Sequence, residues 1–95
     1  MRTIEWATAF KKDYKRIKAA ARHARDVDGL LETVLALLVE DAPLPEGSRD
    51  HALIGNWQGY RECHLKPDLL LIYKTDNPDV LRLARLGSHA ELFSK

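Results

Sequence analysis

Cysteine is nearly absent from this 95-residue chain: Cys63 is the only one. One thiol excludes an intramolecular disulfide framework and suits a reducing compartment. Long apolar runs are missing too, and nothing approaches the roughly 18 consecutive apolar residues of a membrane span. Arg2, Glu5, Lys11 and Lys12 interrupt the start, where a signal peptide would carry an apolar core. A cytoplasmic protein with no membrane partner is the expectation. Repeats and low-complexity segments are absent as well. What remains suits one domain spanning residues 1–95, which buries roughly 60% of its unfolded surface. With 45% hydrophobic residues that core is thin but sufficient.

An excess of either charge is also lacking, because the formal net charge is +1. The distribution says more. Lys11, Lys12, Lys15, Arg16, Lys18, Arg22 and Arg25 crowd one segment, and Glu32, Glu40, Asp41 and Glu46 follow it. Such a basic segment reads either as a nucleic-acid or acidic-partner surface, or as a solvated helix face.

Alternation over Arg2 to Trp6 predicts a short opening strand. Thr8 is placed to cap a helix whose Phe10, Tyr14, Ile17 and Ala21 share one side, with lysines and arginines around the rest. After a break at Asp26 to Gly29, Asp28 is the expected N-cap of a second helix. Its broad apolar stripe is Leu30, Leu31, Val34, Leu35, Leu37 and Leu38. Together the two predict an antiparallel helical hairpin, the leucine-rich helix being the more buried. Pro43, Pro45, Gly47 and Ser48 then mark a loop. Three strands are predicted over Gly59 to Leu65, Leu69 to Thr75 and Val80 to Leu86. The turns between them are Lys66-Pro67-Asp68 and Asp76-Asn77-Pro78-Asp79, short enough to force antiparallel neighbours. Leu69 to Tyr73 is apolar in both parities, which predicts a central strand covered on both faces. Residues 87–95 form a tail with room for one helical turn. The fold class is therefore α+β: strand, helix, helix and three strands, with an antiparallel sheet packed on the hairpin and its other face free for a site.

Four histidines occur. His23 lies in the basic region and reads as a surface residue. His51, His64 and His89 sit near element ends that a sheet can bring together. Asp68 follows His64 in the turn, and Arg85 precedes His89 by four residues. Histidine moves protons near neutral pH, a carboxylate tunes it or acts as a base, and arginine grips a phosphate. These residue types suit phosphodiester cleavage, but they equally describe scattered loop histidines and an aspartate capping a turn. Zinc binding by the histidines and Asp68 is a further reading, although the spacings form no local ligand motif. Cys63 and His64 are strand neighbours pointing to opposite faces, so Cys63 is expected in the core rather than as a nucleophile.

The stretch from Asp50 and His51 through Gly55-Asn-Trp57-Gln-Gly59-Tyr60-Arg61 to His64 and Pro67-Asp68 resembles the YafQ-type toxins of the RelE/ParE superfamily. Leu70 to Lys74, Arg85 to Phe93 and Phe10 to Lys15 fit the same family, so the likeness spans nearly the whole chain. The resemblance implies a strand-helix-helix-strand-strand-strand fold of RelE type. It also implies the toxin of a type II toxin–antitoxin pair, cutting messenger RNA in the A site of the 70S ribosome with no metal or other cofactor. Its partners would be a small cognate antitoxin with an acidic C-terminal half and, only through that antitoxin, operator DNA. The family's functional positions fall here on His51, His64, Asp68, Arg85, His89 and Phe93. Phe93 would stack on a base or plug the sheet. Lys11, Lys12, Lys15, Lys18 and Arg22 become candidate contacts to ribosomal RNA. One departure stands out: Leu69 follows the turn aspartate where the family often has tryptophan, and leucine cannot stack in the same way.

Two other classes share this fold. A ParE-like poison binds DNA gyrase without catalysis, and such chains generally lack the histidine set. An inactive member that only binds its antitoxin is the third reading.

Overall fold

Leu69 to Tyr73 are all buried, because β4 (Leu69–Lys74) is the middle strand of a five-stranded sheet. The computed structural model describes residues 1–75 and 77–93, so Asp76 of the second expected turn and the last two residues of the tail lie outside the described residues. Around β4 the chain orders β1 (Thr3–Trp6), α1 (Thr8–Ala19), α2 (Val27–Val39), β2 (His51–Ala52), β3 (Arg61–Lys66), β5 (Val80–Gly87) and α3 (His89–Phe93). The sheet order is β1-β5-β4-β3-β2.

β2 through β5 are antiparallel, as the short turns require for β3, β4 and β5. The expectation of an antiparallel sheet fails at one edge. β1 runs parallel to β5, with Ile4 opposite Leu81 and Trp6 opposite Leu83. A helical hairpin separates β1 from the other strands, so no tight turn dictates its direction. The two-residue β2, which follows the expected loop and matches no expected element, also adds a strand by pairing His51 with Glu62 and Ala52 with Arg61.

The main core lies between the sheet and the hairpin. Phe10 and Ile17 of α1 and Leu31, Val34 and Leu38 of α2 close over Cys63, Leu71, Tyr73, Leu81, Leu83 and Leu86. The opposite face is not free, contrary to the sequence reading. Leu70, Ile72 and Ala84 are buried there with Leu92 of α3, and Leu53, Trp57, Tyr60 and Phe93 pack around them. The segment between β2 and β3 and the C-terminal turn fold back over that face, leaving a smaller exposed region for a site.

Neither expected N-cap holds. Ala7 is the N-cap of α1, and its N–H is committed to Leu83 O at 3.0 Å, so β1 runs straight into the helix. Thr8 is already helical. At α2 the N-cap is Asp26, whose carboxylate pairs with Lys66 Nζ at 2.7 Å instead of capping. Asp28 sits one residue inside the helix, where it accepts from Lys18 Nζ at 2.8 Å and from the Tyr14 hydroxyl. Side-chain partners have outcompeted the backbone at both positions. Ala21, assigned to the apolar face, is exposed because α1 ends at Ala19.

Candidate active site

Alternation along β3 sends Cys63 into the helix-side core and turns Glu62 and His64 to the opposite face. β2 then lays His51 against Glu62. The Glu62 carboxylate oxygen Oε1 lies 3.2 Å from His64 Nε2 and 3.7 Å from His51 Nε2. His51 Nδ1 is 2.7 Å from Arg49 O. A carbonyl only accepts, so Nδ1 carries the proton and Nε2 is the nitrogen of a neutral ring that can take one up. Arg49 adopts a left-handed conformation, φ 49°, that turns this carbonyl toward the ring.

His89 reaches the same place through α3. Ser88 Oγ accepts the Glu91 N–H at 3.1 Å while Glu91 Oε1 accepts the Ser88 N–H at 2.8 Å, a reciprocal capping box that starts the turn. Glu91 also pairs with Arg16 Nε at 3.2 Å, tying α3 to α1. Gly87 permits the approach: a Cβ there would come within 2.9 Å of Glu91 Oε1 and 3.1 Å of Arg16 Nη2. The His89 ring then stands edge-on to His64 at 6.4 Å between centroids, and 5.1 Å from the ring of Phe93. His51, His64, His89 and Phe93 thus come together.

Asp68 and Arg85 have other partners. Asp68, in the β3–β4 turn, pairs with Arg22 and lies 3.9 Å from His23 Nε2. His23 is therefore half-buried rather than a surface residue, and its Nδ1 is 3.3 Å from Lys66 Nζ. Arg85 is re-aimed by a β-bulge. Ile72 pairs with Arg85 and Tyr73 with Leu83, so Ala84 is an extra residue and strand parity reverses beyond it. Unbroken alternation would put Arg85 on the side of Leu81 and Leu83, but the bulge moves it to the Ile72 face. Its guanidinium bends round the edge of β5, which β1 covers only as far as Leu83, and grips Asp13 of α1.

The basic residues divide in two. Lys18 and Arg22 are engaged by Asp28 and Asp68, whereas Lys11, Lys12 and Lys15 are exposed along the rim of a groove. That groove, of about 980 Å³, runs between α1 and α2, with Trp6, Phe10, Leu31, Leu35 and Val39 in its walls. Trp6 is 44% exposed there.

Chemically, the cluster offers three imidazoles, a carboxylate beside those of His51 and His64, and an aromatic ring next to that of His89. Such a set can take a proton from one oxygen and give one to another. Cys63 has no part in it. Burial, with the charges of Asp50 and Glu62, pushes its thiol up to about 12, so it stays protonated. Among the described residues no group of three His, Cys, Asp or Glu side chains is placed to hold a metal ion.

A family described as the bacterial toxin YafQ of type II toxin–antitoxin systems matches residues 2–94. The chain belongs to the YafQ toxin family. It is 39% identical over 92 residues to the mRNA interferase toxin YafQ of Escherichia coli K12, covering 97% of this chain and 96% of that one. Among solved structures, the E. coli YafQ chain in its complex with DinJ superposes with a TM-score of 0.81 at 38% identity, over 99% of this chain and 100% of that one. A copper-bound mutant toxin from Helicobacter pylori gives a TM-score of 0.87 at 39% identity, over 98% and 100% of the two chains.

Two residues of this YafQ family member escaped the sequence reading. Glu62 is 1% exposed and Asp13 is 2% exposed. Both signals were present. Glu62 precedes His64 by two on one strand, hence on the same face. Asp13 falls between Phe10 and Ile17 at helical spacing, on the buried side. Ser88-x-x-Glu91 is a third, the sequence form of a capping box.

Proposed function

We propose that this toxin cuts messenger RNA on the ribosome by internal transesterification, with no resident metal ion. The observation that carries the reading is the convergence of His64 and His89, with rings 6.4 Å apart and Phe93 beside them. The activity named for the E. coli relative supports it. His64 takes the proton of a ribose 2′-hydroxyl, the freed oxygen attacks the adjacent phosphorus, and the bond to the 5′-oxygen breaks. His89 protonates that departing oxygen. Asp68, held by Arg22, is the alternative base once that pair opens. His51 positions the phosphate. Asp13 engages Nε and Nη2 of Arg85, leaving Nη1 to stabilise the growing negative charge. Phe93 stacks against a base.

The same reading places the chain in the RelE/ParE superfamily, in the cytoplasm, under control of an antitoxin whose acidic segment folds onto it and carries it to operator DNA. The E. coli relative is seen in complex with DinJ, and among the described residues no helix is long and apolar enough to cross a membrane. The deciding experiment is a ribosome-bound message with one 2′-deoxy residue just upstream of the cut. Cleavage should stop there, while the all-ribose message should give products ending in 2′,3′-cyclic phosphate and 5′-hydroxyl. Efficient cutting of the deoxy message, or 5′-phosphate ends, would show that water attacks instead.

A further inference from the structure

Glu62 is the one acidic side chain buried on the site face of the sheet among the described residues, and its position is costly. An ionised carboxylate loses hydration on burial, and an aliphatic residue of the same size would suit the surrounding Leu70 and Ile72 better. What the carboxylate gains is contact with imidazole nitrogens. Oε1 stands 3.2 Å from His64 Nε2 and 3.7 Å from His51 Nε2, and the residue is 1% exposed. A carboxylate beside a ring nitrogen selects the tautomer in which that nitrogen bears hydrogen.

We propose that Glu62 is a positioning residue of the nuclease site: its carboxylate faces the Nε2–H of His64, fixes that tautomer and leaves Nδ1 as the atom that accepts the substrate proton. His51 Nε2 stands farther off, at 3.7 Å, and the Arg49 carbonyl already sets the tautomer of that ring, so the positioning falls on His64. This rests on the ribonuclease reading above for the meaning of Nδ1, but not for the tautomer itself. Two ring nitrogens have different geometry relative to the sheet, and a ring free to exchange tautomers would present a lone pair to the substrate only part of the time.

The test uses the whole toxin with ¹⁵N-labelled histidine. Wild-type His64 should show hydrogen on Nε2, and an Nδ1–H form would overturn the proposal directly. Glu62→Met removes the acceptor while keeping the volume. It should give a mixture of His64 tautomers and a single-turnover cleavage rate lower by at least about 10-fold, up to the ~10⁴-fold loss of a catalytic histidine held in the wrong tautomer. Half-saturating ribosome concentration should not change, and the melting temperature should stay or rise, which a purely structural role would not produce. Glu62→Gln keeps an oxygen that accepts from Nε2–H and should recover most of the rate. A wild-type rate in Glu62→Met would sink the proposal. Failure of the wild-type toxin to cut RNA would instead refute the ribonuclease reading, with the tautomer measurement still standing.

Discussion

Arg85 and Asp13, 72 residues apart in sequence, form a two-point ion pair: Nε to Oδ2 at 2.6 Å and Nη2 to Oδ1 at 3.1 Å. The same carboxylate accepts the Leu86 N–H at 3.0 Å and Arg16 Nη1 at 2.8 Å. Asp13 thereby finishes the edge of β5 where β1 stops, doing with a side chain what a neighbouring strand would do with its backbone.

This arrangement sets a stability prediction. Asp13→Ala leaves Leu86 N–H and two guanidinium groups without their acceptor, and should cost about 2–3 kcal/mol. In a domain of this size that lowers the melting temperature by roughly 10 °C or more. Burial pushes the Asp13 carboxyl up, but the hydrogen bonds from Arg85, Leu86 and Arg16 outweigh it and hold the group below its ordinary 3.8. A depressed folded value means the native state favours the ionised form. The contribution is therefore complete above about pH 3.8 and disappears as the pH falls through the lower folded value. Thermal melts in acid should show wild type losing more stability than Asp13→Asn in that window. Parallel acid curves for the two proteins would remove Asp13 from the account.

Catalysis gives the second prediction. His89 is exposed at the start of α3, so His89→Ala should leave folding and antitoxin binding intact while cleavage drops by ~10²–10⁴. Release assays on ribosome-bound message report the rate, and calorimetry with the antitoxin reports the fold. Wild-type cleavage by His89→Ala would move the acid elsewhere.

Metal content is a third. The purified toxin should contain no stoichiometric zinc or copper by elemental analysis, and single-turnover cutting should not follow the metal content of the preparation. A bound ion whose removal abolishes cutting, and whose return restores it, would replace the acid–base scheme.

A fourth prediction separates two surfaces. Reversing Lys11, Lys12 and Lys15 to glutamate should weaken ribosome association, with a shallower salt dependence, because these lysines are exposed along the groove rim. Leu35→Asp, in the groove wall, should leave ribosome affinity alone and weaken binding of the antitoxin that we propose seats apolar residues there. Sedimentation with ribosomes and titration with the antitoxin check each arm. If Leu35→Asp binds the antitoxin as wild type does, the groove is not its seat.

Periodicity and turn chemistry alone determined the order of elements apart from β2, the central strand at Leu69 to Tyr73 and the opposition of Cys63 and His64, because each depends on residues close in the chain. Residue types and spacing likewise picked His51, His64 and His89. The tertiary structure decided what depends on distant partners. It turned Arg85 to the other face through the extra residue Ala84, drew Asp68 to Arg22, covered the outer face of the sheet and set Glu62 behind two imidazoles. Local pattern shows which side a residue faces. Which charge waits for it there is settled only when strands and helices far apart in sequence pack against one another.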